Sequence, residues 1–373
     1  MKRKRVLIRV AAGLCFAAAL AYTVVADSTS ATASLTSGKA QLMSAGALAF
    51  GPDGVLFVGD SVGGAVVALD TKDSAAPRSA VNINVQGVDA KLAALAGVTA
   101  DQIMVNDVKV NPISKNVYLS ASRGRGPDAM PLIARVNASG DVSLLSLDNI
   151  PHSSVSLTDA PAASPAGTNP RQNQRMSTIT DMNYVNGNVM VAGLSNEEWS
   201  SALRSIPFPF KTASLGATLQ IWHSSHGRYE TQSPVRTFVP YTIQGQQYVL
   251  AAYTCTPLVK IPVSDLKPGA KVKGVTIADL GAGNQPLDMV PYKKNGHDFI
   301  LVANTSFGVV KLKADNLETY KPIDSPTVTD VAGVPYDSIS SVKNVQHLAQ
   351  LDNTSAVVLT GKGPVNIQTI ALP

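Results

Sequence analysis

The chain has 373 residues, 45% of them hydrophobic and 15% charged, which is enough apolar content for a large core and too little charge for a disordered polymer. Its formal charge is +5, and Lys2, Arg3, Lys4, Arg5 and Arg9 account for all of it, so the remainder is neutral and offers no electrostatic footprint for nucleic acid or an anionic membrane. Of the two cysteines only Cys255 lies beyond the N-terminal apolar stretch, which excludes a scaffold held by disulfides.

Residues 1–26 combine a cationic head, an apolar stretch and small residues at Val24 and Ala26. This predicts a secretory signal peptide cut between Ala26 and Asp27, with an uncleaved anchor helix as the rival reading. Leu14 stands before Cys15 where lipid attachment requires a small residue, so a lipoprotein is excluded. The expected product is periplasmic or extracellular and touches no membrane after cleavage. It consists of a Ser/Thr/Ala-rich linker, 27–37, and one domain, 38–373.

The stretch 46–70 contains three short apolar runs cut by Pro52-Asp53-Gly54 and Gly63-Gly64, residues that preset or tolerate turn geometry. Such a meander has exposed edges and cannot bury its faces alone. Similar rhythms follow at 105–147, 179–222, 236–277, 287–313 and 344–372, with first strands beginning near residues 46, 105, 178, 236, 286 and 343. The sixth unit ends one strand short, and a strand-like piece at 39–43 is free to complete it. The prediction is an all-β propeller of about six blades, its last blade closed by an N-terminal strand, with a β-sandwich or a pair of smaller β domains as the alternative. First and second strands are joined by tight hairpins at Gly51-Pro-Asp-Gly, Asn111-Pro-Ile-Ser, Asn186-Gly-Asn, Gln244-Gly, Asn295-Gly and Asp352-Asn-Thr. The stretches 86–104, 123–130, 152–177 and 195–216 read as long loops on the opposite face. Binding residues usually lie on such loops.

The unit Ala47-Leu-Ala-Phe-Gly-Pro-Asp-Gly-Val-Leu-Phe-Val-Gly-Asp60 resembles one repeat of the NHL and SMP-30/gluconolactonase-like group of six-bladed propellers. That resemblance implies the fold. For the lactonase members it also implies a divalent metal at the channel mouth on Glu, Asn and Asp side chains. Where their opening element carries an acidic residue, this chain reads Ala45-Gly46-Ala47.

Asp107, Asp181 and Asp288 each fall near the start of an innermost strand, so the topology predicts that they converge at the channel mouth. With Asn106 they form a set of oxygen ligands suited to Ca²⁺. Carboxylates so close need a cation or an arginine among them, unless each merely caps its own loop. Arg123, Arg125, Arg171 and Arg175 place guanidinium groups on the same face as candidate clamps for a carboxylate or phosphate, as counter-ions, or as solvated surface. The stretch 195–210 opens with a helix-capping signature, which predicts a helical insertion in the third blade. It carries Trp199 and Phe208 as a lid, an anchor for a partner protein, or a small satellite core. His223-Ser-Ser-His226 lacks a third ligand at metal spacing and reads as no zinc site. Cys255 reads as a buried, inert thiol.

These features predict an exported propeller, monomeric by default, that binds a small ligand, a metal ion or a partner protein through its long-loop face. The alternatives are a metal-dependent hydrolase of the lactonase type, with Asp107, Asp181 and Asp288 holding the ion, and a propeller subunit of a periplasmic redox assembly with Trp199 and Phe208 at the contact.

Overall fold

Turn chemistry divides the chain into hairpins where the pattern places them. Asn186-Gly187, Gln244-Gly245 and Asn295-Gly296 have positive φ at both central residues, the geometry that continues the twist of the strands on either side. In the computed structural model, which describes residues 30–125, 129–164, 173–327 and 331–373, these hairpins join the first two strands of successive sheets. The proposed signal segment lies outside the described residues. No helix among the described residues is long and apolar enough to cross a membrane.

Six sheets, each mainly antiparallel, form a six-bladed β-propeller in Ala31–Pro373. Their innermost strands are Leu48–Phe50, Ile103–Val110, Asp181–Val185, Thr237–Ile243, Pro286–Lys294 and Val345–Gln350. The blades take their numbers from this order. Side chains that face neither water nor the channel meet in six apolar clusters, one for each contact between adjacent blades. The cluster of Phe57, Met182 and Phe208 fills the space between blades one and three, and that of Val108, Val117, Val357 and Leu359 joins blades two and six. Burial of these faces is the main force closing the ring.

The order of blades around the ring differs from their order along the chain. Innermost strands pack in the sequence two, one, three, four, five, six, and blade six closes on blade two. After blade one the chain runs along the outer edge of blade six, where Asn84–Val85 pairs with Asn366–Ala371. It then passes through the helix Val88–Ala96 and builds blade two. From there it returns to blade one, where Ile150–Ser156 pairs with Ala65–Asp70, before entering blade three. Connections thus add strands to the edges of blades other than their own, which pairs backbone groups otherwise left open at each edge.

This path corrects three expectations. The strand completing blade six is Asn84–Val85, and the N-terminal strand is Thr36–Gly38, paired with Ile150–Ser156 beyond blade one. Two of the N-terminal strand's three residues fall in the stretch read as linker, while 39–43 forms no strand. The helix expected within 195–210 is absent, because Ser201–Pro207 pairs along its whole length with Asn188–Leu194. The gain from seven ladder positions and a buried apolar face outweighs a local capping preference. Finally, three of the stretches read as long loops contain regular elements among their described residues. Residues 86–104 hold the helix, 152–177 begin inside the strand Ile150–Ser156, and 195–216 contain the third strand of blade three.

Candidate functional site

Innermost strands run from the long-loop face toward the tight hairpins, so their first residues ring the channel mouth. Ala47, Asp107, Asp181, Thr237, Asp288 and His347 occupy equivalent places, each one residue before an apolar residue that pairs with the second strand. In blades two, five and six a β-bulge immediately precedes Asp107, Asp288 and His347. A bulge turns the side chain that follows it, here toward the axis.

The structure brings the three aspartates together around one cation, the ammonium of Lys109. Its Nζ lies 3.6 Å from Asp107, 3.9 Å from Asp181 and 3.5 Å from Asp288, each measured to Oδ1. Lys109 comes from the same strand as Asp107, two residues on and therefore on the same face. Each aspartate also reaches to the neighbouring blade. Asp107 Oδ2 accepts the Leu48 amide at 2.7 Å, Asp181 Oδ2 accepts the Phe238 amide at 2.9 Å, and Asp288 Oδ2 accepts the Leu348 amide at 3.0 Å. These bonds tie blade two to one, three to four, and five to six, giving a pseudo-threefold set of staples. His347 adds a bond from Nδ1 to Asp288 Oδ2 at 3.0 Å. Asn106 stands apart from the carboxylates, its amide donating to the Ala45 carbonyl.

Burial dominates the electrostatics of the cluster. It pushes the Asp107 carboxyl up, with Lys109 opposing, and raises Asp181 to about 6. Burial alone would lower Lys109, but the three carboxylates outweigh it and hold the ammonium above its usual range. His347 is likewise raised, because Asp288 and Asp107 overcome desolvation. For Asp181, a raised folded value means that the native state binds more protons than the unfolded one between its ordinary 3.8 and about 6. Stability therefore falls as pH rises through that interval. The raised His347 contributes stability in full below its ordinary 6.5 and loses it as pH climbs past the folded value. Both act in the same direction, and the lowered carboxylates Glu230, Asp315 and Asp352 respond only in more acidic solution. The melting temperature is thus expected to be a few degrees higher near pH 4.5 than near pH 7.5, and Asp181→Asn should flatten the slope below about pH 6. Calorimetric scans across that range check it, and an unchanged slope in the variant would count against this assignment.

Beside the cluster, an open cavity of about 730 Å³ lies on the long-loop face between blades five and six. Its wall includes His347, Lys343, Lys362, Asn304, Gln346 and Phe307, and no acidic residue among the described residues. Asn304 is buried and its Oδ1 has no hydrogen-bond donor. Phe307 is exposed.

The remaining predicted residues do not join this site. Arg123 bonds the Ala96 carbonyl and Met130, and Arg125 bonds the Asp101 carbonyl. Arg175 bonds the carbonyls of Val62 and Pro161, bracing blade one. Arg171 lies outside the described residues. Trp199 sits in the turn before Ser201–Pro207 with the Lys271 ammonium over its ring, whereas Phe208 follows that strand and packs in the core against Phe57 and Phe210. A seven-residue strand separates them by roughly 20 Å, so the two rings share no surface. Cys255 is partly exposed rather than buried.

Sequence reasoning missed Lys109 and His347. Alternation along the inner strand was the available signal for the first, since Asp107 and Lys109 share a face. Register was the signal for the second, since Gln346-His347-Leu348 stands where blades two, three and five carry an aspartate before an apolar residue. It also missed Arg204, whose guanidinium is 1% exposed and bonds Asp159 at 2.7 Å.

No protein-family model and no curated protein sequence matches the chain. Among solved structures, a glucose dehydrogenase aligns at 11% identity over 91% of this chain and 100% of its own, with a TM-score of 0.36. The PQQ-bound aldose sugar dehydrogenase of Streptomyces coelicolor aligns at 10% identity over 90% of this chain and 97% of its own, with a TM-score of 0.31. The β-propeller domain of Cps50 (Swd1) from Myceliophteria thermophila aligns at 11% identity over 90% and 89%, with a TM-score of 0.35. Likeness at this level says nothing of this chain's chemistry.

Proposed function

We propose that the chain is an exported propeller that binds a small, polyhydroxylated organic anion in the cavity between blades five and six. The observation that carries this reading is the cavity's lining, which among the described residues has three basic side chains and no acidic one. Lysine and histidine donors suit a carboxylate, the polar Gln346 on the wall suits a ligand hydroxyl, and the exposed Phe307 ring suits the apolar face of a sugar. The lactonase-type alternative would need the three aspartates to hold a metal. Their oxygens already serve Lys109 and the amides of neighbouring blades, which favours a structural role for them and binding without hydrolysis.

Gluconate and glucuronate are the probes, with glucose as the uncharged control, titrated calorimetrically into the full chain. Both acids should bind and glucose should not. Lys343→Met with Lys362→Met should weaken the acids at least about tenfold, the equivalent of 1.4 kcal/mol, while leaving the melting temperature unchanged. Equal binding by the double variant, or no binding of either acid, would overturn the reading.

A further inference from the structure

At the border of blades three and four, on the same face, the fold assembles a donor set from residues distant in sequence. His223 ends the strand Ala217–His223, and His226 follows in the turn Ser224–His226. Cys255 comes from blade four, in the turn between its second and third strands, where Cys255 and Thr256 both have positive φ. Each of the three offers one ligand atom, and these atoms lie within 4.8 Å of one another. The sequence lacks a third ligand near His223 and His226 because that ligand arrives from the next blade.

Glu230 orients the two imidazoles. Its Oε2 lies 2.7 Å from His223 Nδ1 and its Oε1 2.7 Å from His226 Nδ1, and Ser233 and Arg228 donate to the same carboxylate. A carboxylate only accepts, so each Nδ1 carries a proton, and in the neutral imidazole each Nε2 then presents a lone pair. This is the arrangement by which a carboxylate fixes the tautomer of metal-binding histidines. The ring centroids are 4.1 Å apart, which keeps the two imidazoles side by side. His223 is 2% exposed, and its buried Nε2 has no hydrogen-bond partner. A buried polar nitrogen without a partner costs about 1–3 kcal/mol, a cost that a ligand at that atom removes.

We propose that His223, His226 and Cys255 bind a thiophilic first-row cation, zinc or copper, with Glu230 as the residue that positions both histidines. Two imidazoles and a thiolate leave a fourth position open, as in catalytic zinc sites, and the same three donors suit copper. With metal–nitrogen and metal–sulfur distances of about 2.0–2.3 Å, the ligands must draw together by up to about an ångström. His226, exposed and on a turn, is the one free to move. This site is separate from the cavity between blades five and six and does not depend on its ligand.

The test is metal titration of the full chain, reduced and stripped with a chelator. Calorimetry with Zn²⁺ and with Cu²⁺ separates the two cations by affinity, and Co²⁺ serves as a spectroscopic probe for either. The expected result is one equivalent bound, with a thiolate-to-cobalt charge-transfer band that is absent in Cys255→Ser. His226→Gln should retain the band but bind at least about tenfold more weakly, and Glu230→Gln should lower affinity by about 10–100-fold. Cys255→Ser is nearly isosteric at a partly exposed position, so its fold can be verified independently by its melting curve. Absence of the charge-transfer band in the native chain, or equal Zn²⁺ and Cu²⁺ affinity in Cys255→Ser, would overturn the proposal.

Discussion

Replacing Lys109 with methionine is expected to destabilise the protein by about 3–5 kcal/mol, the usual cost of removing one partner from a buried ionic cluster. The methionine fills nearly the same volume, so the loss is electrostatic. Asp107, Asp181 and Asp288 are left facing one another without the ammonium that now stands 3.5–3.9 Å from each. At an unfolding entropy of roughly 2.1 cal/mol/K per residue, this corresponds to about 4–7 °C in melting temperature for a domain of this size. Two carboxylates should take up protons to relieve the repulsion, so the variant's stability should depend on pH more steeply than that of the native chain. A second measurement separates a counter-ion role from a packing role. The vacated centre is surrounded by oxygen ligands, so millimolar Ca²⁺ should restore part of the lost stability in Lys109→Met and do nothing for the native protein. A loss below about 1 kcal/mol, or equal stabilisation of both proteins by Ca²⁺, would show that the ammonium is not what holds the carboxylates together.

Arg204→Met is expected to cost a similar 3–5 kcal/mol for a related reason in a different place. The guanidinium is 1% exposed and bonds Asp159, the Thr178 carbonyl and the Leu194 carbonyl. Asp159 in turn accepts the Gly216 amide. Removing the arginine strands a buried carboxylate and two carbonyls. Asp159 lies just past the strand that returns to blade one, and Arg204 lies in blade three, so the pair pins the crossing that places blade one between blades two and three. Combining Arg204→Met with Asp159→Leu should recover much of the loss, because apolar replacement of both charges removes the unpaired one. Denaturant unfolding of the two single variants and the double variant checks this, and additive losses would sink it.

The channel cluster was partly legible. Asp107, Asp181 and Asp288 could be placed at one ring of positions because each precedes an apolar residue at the start of an inner strand, a pattern set by alternation along the chain. That same reasoning called for a cation among them. It did not say that the cation would be a lysine two residues from one of the aspartates, since an i, i+2 lysine on a strand is equally able to reach solvent. Trp199 and Phe208 show the opposite failure. Their closeness in sequence suggested a common patch, but an intervening strand carries them to opposite faces of the ring. Cys255 and His223 fail in a third way, being remote in sequence and brought together only where two blades meet.

What the amino-acid order determined by itself was everything governed by neighbours in the chain. The six meanders, their Asn-Gly and Pro-Asp-Gly hairpins, the face carrying the longer connections and the register of the inner aspartates all follow from side-chain alternation and backbone turn preferences. Tertiary structure alone decided the order of blades around the axis, the identity of the strands that complete blades one and six, and the partners of Lys109, Arg204 and Cys255. The physical reason is that edge pairing uses backbone hydrogen bonds common to every residue, and two residues such as Asn84 and Val85 carry no pattern that distinguishes one edge from another. Their place is selected by the apolar clusters between blades, whose members come from distant parts of the chain and exist as surfaces only once the ring has closed.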